Sequence, residues 1–207
     1  MNAVVLITGA NGMLARSLAI SLSSEYTVRF LTRKAKRHNE FKWDIELKYI
    51  DPEALKDVNH IIHLAGSSVA EKRWTLKRKR EIYSSRVDSA KLILDELQKN
   101  NQTIESFISA SAIGYYGSKT TNDILTEESE NGEDYLGEVC NDWETAAHSF
   151  KSNHIAQKTS ILRLGIVLKN DSGALKKMTP PIIWGLGAVI GTGKQWVPWI
   201  HVYDICK

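Results

Sequence analysis

Residues 4–15 read Val4-Val5-Leu6-Ile7-Thr8-Gly9-Ala10-Asn11-Gly12-Met13-Leu14-Ala15. An apolar run reaches Thr8, then Gly9, Gly12 and Ala15 follow at three-residue spacing and lead into an apolar-periodic stretch over 13–24. A buried strand that turns through glycines into a helix aims backbone N–H groups and the positive end of the helix at one spot, and that spot suits a pyrophosphate. The pattern is T-G-x-x-G-x-x-A rather than G-x-G-x-x-G, because Asn11 stands where the second glycine would be. A tight turn without a ligand would use the same glycines. The position of this turn, at the first strand–helix junction of the chain, favours the phosphate reading.

Working outward, strands are predicted at 3–8, 26–32, 59–65, 105–111 and 158–168, and helices at 13–24, 75–100 and 136–150. The helix over 75–100 has Ile82, Val87, Ala90, Leu92, Ile93, Leu94 and Leu97 as its apolar stripe. Residues 118–134 are polar and acidic and read as a surface loop. Alternating strands and helices imply an α/β, doubly wound Rossmann fold with a parallel sheet, whose ligands bind beyond the carboxyl ends of the strands. The expected organisation is a nucleotide-binding domain over 1–170 and the start of a substrate-side region over 171–207. In that second stretch Gly173, Gly185, Gly187, Gly191, Gly193, Pro180, Pro181, Pro198, Trp184, Trp196 and Trp199 crowd together and read as loop-rich aromatic surface. The apolar segment 199–205 runs straight to Lys207, which reads as an interrupted chain whose smaller C-terminal substrate domain is truncated.

At 207 residues, 43% hydrophobic and 25% charged, the chain can bury a core without staples. Cys140 and Cys206 match no metal spacing, so no metal is expected, and two cysteines suit a reduced, cytoplasmic protein. No signal peptide or membrane span is legible at the amino end. A net charge of +3 argues against a dedicated nucleic-acid binder. The basic run 72–80 with its embedded Trp74 keeps that alternative open, although a solvated helix start explains it better.

Arg33 follows the second strand, about 20 residues past the glycine turn, where an NAD-binding fold usually has Asp or Glu on the ribose hydroxyl. The sequence there is Thr32-Arg33-Lys34. A guanidinium grips a 2′-phosphate that a carboxylate would repel, so the cofactor expected is NADP. The alternative is a solvated basic turn. His63-Leu64-Ala65-Gly66 ends the third strand, and its small residues let a planar ring approach the backbone. His63 itself reads as a packed histidine.

These pieces and others in order form a specific pattern: Lys72-Arg73-Trp74, Ser85-Arg86, Ser109-Ala110-Ser111-Ala112-Ile113-Gly114-Tyr115-Tyr116-Gly117, Trp143-Glu144, Arg163-x-Gly165-x-Val167-Leu168, Gly185-x-Gly187, Gly191-x-Gly193 and Trp199-Ile200-His201. The chain resembles the "epimerase family protein" branch of the atypical short-chain dehydrogenases/reductases over essentially all its length. Those proteins resemble nucleotide-sugar epimerases, and some carry an older cell-division-inhibitor-like label. The resemblance implies bound NADP. It places the contacts on the glycine turn (Thr8, Gly9, Asn11, Gly12, Met13, Leu14), Thr32 and Arg33, Leu64 and Ala65, Glu81 and Arg86, and the backbone near Val167. Gly66 joins them as part of the platform. Glu81 and Arg86 are close enough in sequence to meet as an i, i+5 pair that leaves Arg86 free to reach a phosphate, or as an ordinary surface ion pair.

Standard members of the superfamily use a Ser and a Tyr-x-x-x-Lys pair on one helix face, where the Lys lowers the Tyr pKa for proton exchange during hydride transfer. Ser111 stands correctly at a strand end. The pair would fall on Leu136 and Cys140, and neither can do that chemistry. Tyr115 to Lys119 and Tyr203 to Lys207 match the spacing literally but lie outside the expected helix. The substitutes are Ser111 and Tyr115, which can hydrogen-bond a substrate hydroxyl. Glu144 or His201 would be bases only beside the nicotinamide, and packing and junction roles explain them better. Arg163 reads as an anion contact or as the partner of an acid. The function expected is an NADP-binding oxidoreductase or epimerase-related activity on an unknown small molecule. A non-catalytic NADP-binding regulator or scaffold is the alternative.

Overall fold

The computed structural model describes residues 2–118, 121–189 and 191–207. Among these, β1 (Val4–Thr8), β2 (Thr27–Thr32), β3 (Glu40–Asp44), β4 (Tyr49–Ile50), β5 (Val58–His63), β6 (Ile104–Ala112) and β7 (Ala156–Leu164) form one sheet in the order β4-β3-β2-β1-β5-β6-β7. All neighbours are parallel except β3 and β4. The strand order reverses at β1, so β1 and β5 leave a crevice between the chain segments that depart from their carboxyl ends. This is the doubly wound fold expected from the sequence.

Burial explains the strands. Every residue of β1 is buried, as a parallel strand covered on both faces requires. On one face α1 (Met13–Leu22) packs Ala15 and Leu18 against Val5, Ile7 and Phe30. On the other, α4 (Val87–Lys99) and α5 (Tyr135–Ser152) cover Leu6, Ile61 and Phe107 with Ile93, Leu97 and Phe150. The rings of Phe107 and Phe150 stack with centroids 3.6 Å apart. The short helix α2 (Pro52–Leu55) adds Ala54 and Leu55 to the same core.

Three expectations are corrected. The helix predicted over 75–100 is two helices, α3 (Leu76–Ser84) and α4, broken at Ser85-Arg86. The apolar stripe runs through the break, so periodicity alone does not show it. The Ser85 hydroxyl is engaged by the Ser67 N–H at 2.9 Å, and the Arg86 N–H turns back to the Tyr83 carbonyl at 3.0 Å. The strand predicted over 158–168 is β7 followed by β8 (Ile166–Lys169), divided at Gly165. A Cβ at Gly165 would lie 2.5 Å from the Pro198 carbonyl oxygen, which accepts from the Ile166 N–H. The chain therefore leaves the large sheet there, and β8 pairs in parallel with β9 (Trp199–His201). The stretch expected to be loop contains α6 (Gly173–Ile183), which continues through Pro180 and Pro181. A short α7 (Val202–Ile205) follows β9. Among the described residues no helix is long and apolar enough to cross a membrane, and no cluster of three or more His, Cys, Asp or Glu side chains could hold a metal.

Candidate functional site

The glycine turn is built for close approach. Gly9 has φ +76°, and a Cβ there would lie 2.9 Å from the Leu64 carbonyl oxygen, so the exits of β1 and β5 touch. Gly12 caps α1 without a side-chain acceptor, and the first turn carries no acid. Its own N–H is spent on the Gly9 carbonyl at 2.7 Å. Among the described residues no side chain hydrogen-bonds the Met13 and Leu14 N–H groups, which begin a ten-residue helix. A cleft of about 880 Å³ opens here between Asn11, Met13 and Arg16, the Ser68 and Glu71 loop, and Lys169, Asp171, Lys176 and Lys177. Gly173 lines it too, and a Cβ there would lie 3.3 Å from the Met13 sulfur and 3.7 Å from the Val167 carbonyl oxygen of β8.

The crevice wall is a hydrogen-bonded post. The Leu64 and Ala65 N–H groups donate to Thr8 Oγ1 at 3.0 and 2.9 Å. Both lone pairs of that oxygen are then used, so its O–H donates to His63 Nδ1 at 3.1 Å. His63 is the neutral Nε2–H tautomer, and Nε2 lies 3.2 Å from both the Arg86 carbonyl and Ser89 Oγ. His63 and Thr8 are both fully buried. Thr8 is one of the residues expected to contact the coenzyme, and its hydroxyl is engaged in this wall. Burial pushes the His63 imidazole from 6.5 down to about 4. Because the folded value lies below the unfolded one, its contribution to stability is full above about pH 6.5 and is lost as the pH falls. Urea denaturation is expected to show a loss of about 2 kcal/mol between pH 7 and pH 5 that His63→Asn removes. An unchanged pH slope in the variant would contradict this.

The remaining coenzyme candidates take different places. Thr32 is buried at the end of β2, and Arg33 is exposed beside it with no acid paired to it among the described residues. Gly66 holds no open platform: a Cβ there would lie 3.1 Å from the Arg86 guanidinium. Arg86 does not pair with Glu81. Its Nη1 and Nη2 donate to the Ile82 and Ser67 carbonyls at 3.0 and 3.1 Å, and the guanidinium lies 5.4 Å from the Trp143 ring centre. Glu81 instead accepts from Arg78 at 2.5 Å, which holds its carboxyl below the usual range. The helix break separates the two side chains that i, i+5 spacing had joined. The basic run is partly absorbed the same way: Arg78 is buried, Lys79 lies over the Tyr135 ring, and Arg80 pairs with Asp88.

At the end of β6, Ser111 stands opposite Arg163 of β7. Ser111 donates to Glu144 Oε1 at 2.6 Å. Arg163 grips the same carboxylate with both arms, Nε to Oε1 at 2.9 Å and Nη2 to Oε2 at 2.8 Å. Its Nη1 donates to Tyr116 Oη and the Glu127 carbonyl. The guanidinium lies 3.5 Å from the Tyr115 ring centre, and these bonds raise its pKa further. Arg163 is thus the partner of an acid and is not open to an anion. Glu144 is neither a helix cap nor a spare base. No local sequence signal links these three residues, because they come from three separate elements.

Tyr115 lies on the 3-10 turn Ile113–Tyr116 that leaves β6, and its hydroxyl bonds to no other described residue. Lys119 lies outside the described residues. Tyr203 and Lys207 meet as a cation over a ring at 4.3 Å, at the end of α7. His201 accepts from the Tyr203 N–H at 3.3 Å and caps α7. Helix α5 presents Leu136 and Cys140 to the same turn, 3.7 and 3.8 Å from a Cβ built on Gly114. Burial pushes the Cys140 thiol up to about 11, so it offers no thiolate.

Comparison with known proteins agrees with this geometry. The NAD dependent epimerase/dehydratase family matches residues 5–207. An epimerase family protein of Mycobacterium bovis is 32% identical over 205 residues, covering 98% of this chain and 66% of its own length. The chloroplastic SDR39U1 homolog of Arabidopsis thaliana, also an epimerase family protein, is 35% identical over 213 residues, covering 97% and 59%. The crystal structure of human epimerase family protein SDR39U1 (isoform 2) with NADPH superposes with a TM-score of 0.83 at 26% identity, covering 98% of this chain and 67% of that one. The chain spans about two thirds of the length of the curated relatives it matches. With the glycine turn, the switch-point crevice and the Ser111 strand end all in place, the chain belongs to the NAD dependent epimerase/dehydratase family, in its epimerase family protein branch.

Proposed function

We propose that this chain binds NADP in the β1–β5 crevice and serves an oxidoreductase or epimerase-related reaction on a small molecule, without a Tyr-x-x-x-Lys pair. The observation that carries this reading is the uncapped amino end of α1 behind Gly9, where a side chain of any size would collide with Leu64. The family assignment and the NADPH in the human relative support it. The N–H groups of Met13 and Leu14 receive the pyrophosphate. Arg33, exposed and with no acid paired to it among the described residues, receives the 2′-phosphate. Residues from 171 onward form the start of the substrate side.

When bound, the nicotinamide supplies or accepts a hydride. The chain's part is to hold the oxygen at the reacting carbon. Ser111 gives its proton to Glu144, so it faces that oxygen with lone pairs and accepts from a hydroxyl. The phenol of Tyr115, which bonds to no other described residue, takes the remaining position. Leu136 and Cys140 keep that wall dry and supply no charge. The same apolar pair favours the second reading, a non-catalytic NADP-binding regulator, because neither side chain exchanges a proton at neutral pH.

Calorimetry against both coenzymes tests the first step. Arg33→Ala is expected to weaken NADPH roughly tenfold, as loss of a charge-assisted pair implies, and to leave NADH nearly unchanged. Equal losses for both coenzymes would remove Arg33 as the selector. Turnover on a panel of carbonyl compounds and nucleotide sugars, lost on Ser111→Ala, would separate the enzyme from the regulator.

A further inference from the structure

The proposed reaction makes no use of His63, although it is a fully buried polar side chain whose two nitrogens both lie within hydrogen-bonding distance of crevice elements. On one side stands Thr8, which holds the Leu64 and Ala65 N–H groups in place beside Gly9. On the other stands the Arg86 carbonyl, at the break between α3 and α4. The Arg86 side chain reaches from that break to the Ser67 carbonyl and fills the space beside Gly66. The end of β1 and the α3–α4 break therefore meet at one imidazole.

We propose that His63 is a positioning residue for the coenzyme: by accepting the Thr8 proton at Nδ1 and donating to Arg86 from Nε2, it sets the spacing between the glycine turn and the Leu64–Gly66 segment. The proposal rests on the NADP reading above. Packing alone does not account for a histidine here. The ring stacks on Phe107 at 6.0 Å and meets the edge of Trp143 at 6.4 Å, contacts an apolar side chain would make as well. An apolar residue would leave the Thr8 hydroxyl with no acceptor. To regain one it would have to turn from Leu64 and Ala65, and the backbone that touches Gly9 would lose its anchor.

The test is NADPH affinity, read by nucleotide fluorescence at a temperature where circular dichroism shows every variant folded. His63→Leu and Thr8→Val are each expected to weaken NADPH about tenfold, the worth of one buried hydrogen bond. The double variant is expected to be no weaker than the worse single one, because both changes break the same post. His63→Asn, whose amide oxygen sits near the Nδ1 position, should recover affinity to within about threefold of wild type. A His63→Leu protein that melts earlier but binds NADPH within about twofold of wild type would overturn the proposal, as would multiplying losses in the double variant. If His63→Leu does not fold, Thr8→Ser against Thr8→Val decides: serine keeps the affinity and valine loses it, and equal affinities overturn the role. Nitrogen-15 spectra of the wild type should show Nδ1 bare and Nε2 protonated, and the opposite tautomer would also overturn it. A wild type that binds no NADPH would refute the coenzyme reading and this role together, whereas normal binding in all variants refutes this role alone.

Discussion

Gly9→Val is expected to abolish measurable NADPH binding, a loss of roughly 100-fold or more at the concentrations calorimetry reaches. Two physical effects add. The residue has φ +76°, which a β-branched side chain adopts only under strain. Its Cβ would also lie 2.9 Å from the Leu64 carbonyl oxygen and 3.3 Å from the Ala65 nitrogen. Both belong to the Leu64–Ala65 peptide, whose N–H is held by Thr8 Oγ1, so neither yields without breaking the wall. The turn can relieve the clash only by opening, and opening turns the Met13 and Leu14 N–H groups away from the proposed phosphate position. Gly12→Ala is the matched control. Gly12 has an ordinary extended conformation, and an added Cβ meets only the Gly9 carbonyl at 3.1 Å. A smaller loss is expected there. If Gly9→Val kept the affinity of the wild type, the crevice would not be the coenzyme site.

Glu144→Ala is expected to destabilise the fold by about 3–5 kcal/mol in urea denaturation, the cost of leaving a buried charge without its partner. The Arg163 and Glu144 side chains are only 16% and 10% exposed, so solvent does little to replace the lost carboxylate. Ser111 loses its acceptor in the same step. The Tyr115 ring, stacked on the guanidinium, loses its support. Arg163→Met alone should cost a similar amount, since it strands the carboxylate instead. Combining Glu144→Leu with Arg163→Met should recover most of the stability, because an apolar pair of similar volume removes both stranded charges. The recovered protein would still lack the anchor for Ser111 and Tyr115, so any turnover found for the wild type should stay lost. Single variants within about 1 kcal/mol of wild type would show that water reaches the pair and that it organises little.

The legible parts of this chain were those written in local pattern. The apolar run before Gly9, the runs over 59–65 and 105–111, and the stripe over 136–150 mark buried elements whose periodicity survives folding. Strands β3 and β4 and helix α2 were missed. Glu40 and Lys42 alternate with Phe41 and Trp43 at the sheet's outer side, and a two-residue strand has no period to read. The two wrong boundaries have one cause. At Ser85-Arg86 and at Gly165 the local pattern continues, and a distant group interrupts it: Ser67 in the first case and the Pro198 carbonyl in the second. Helix α6 was hidden by its prolines, which read as breakers although they fall near its carboxyl end.

The site divides in the same way. The glycine turn and Arg33 are legible as candidates because consecutive residues carry their chemistry. Ser111 is legible as a candidate because a strand end is a local feature. The Glu144–Arg163 grip and the His63 post were not, because each gathers side chains from elements far apart in the chain. By itself, then, the sequence determined the doubly wound fold and the strand–glycine–helix turn at its start, since hydrophobic period and backbone conformation act over a few residues. Only the tertiary structure decided which polar groups meet. A buried hydrogen bond depends on distance and angle between atoms, and that geometry exists only after the sheet has brought the strand ends together.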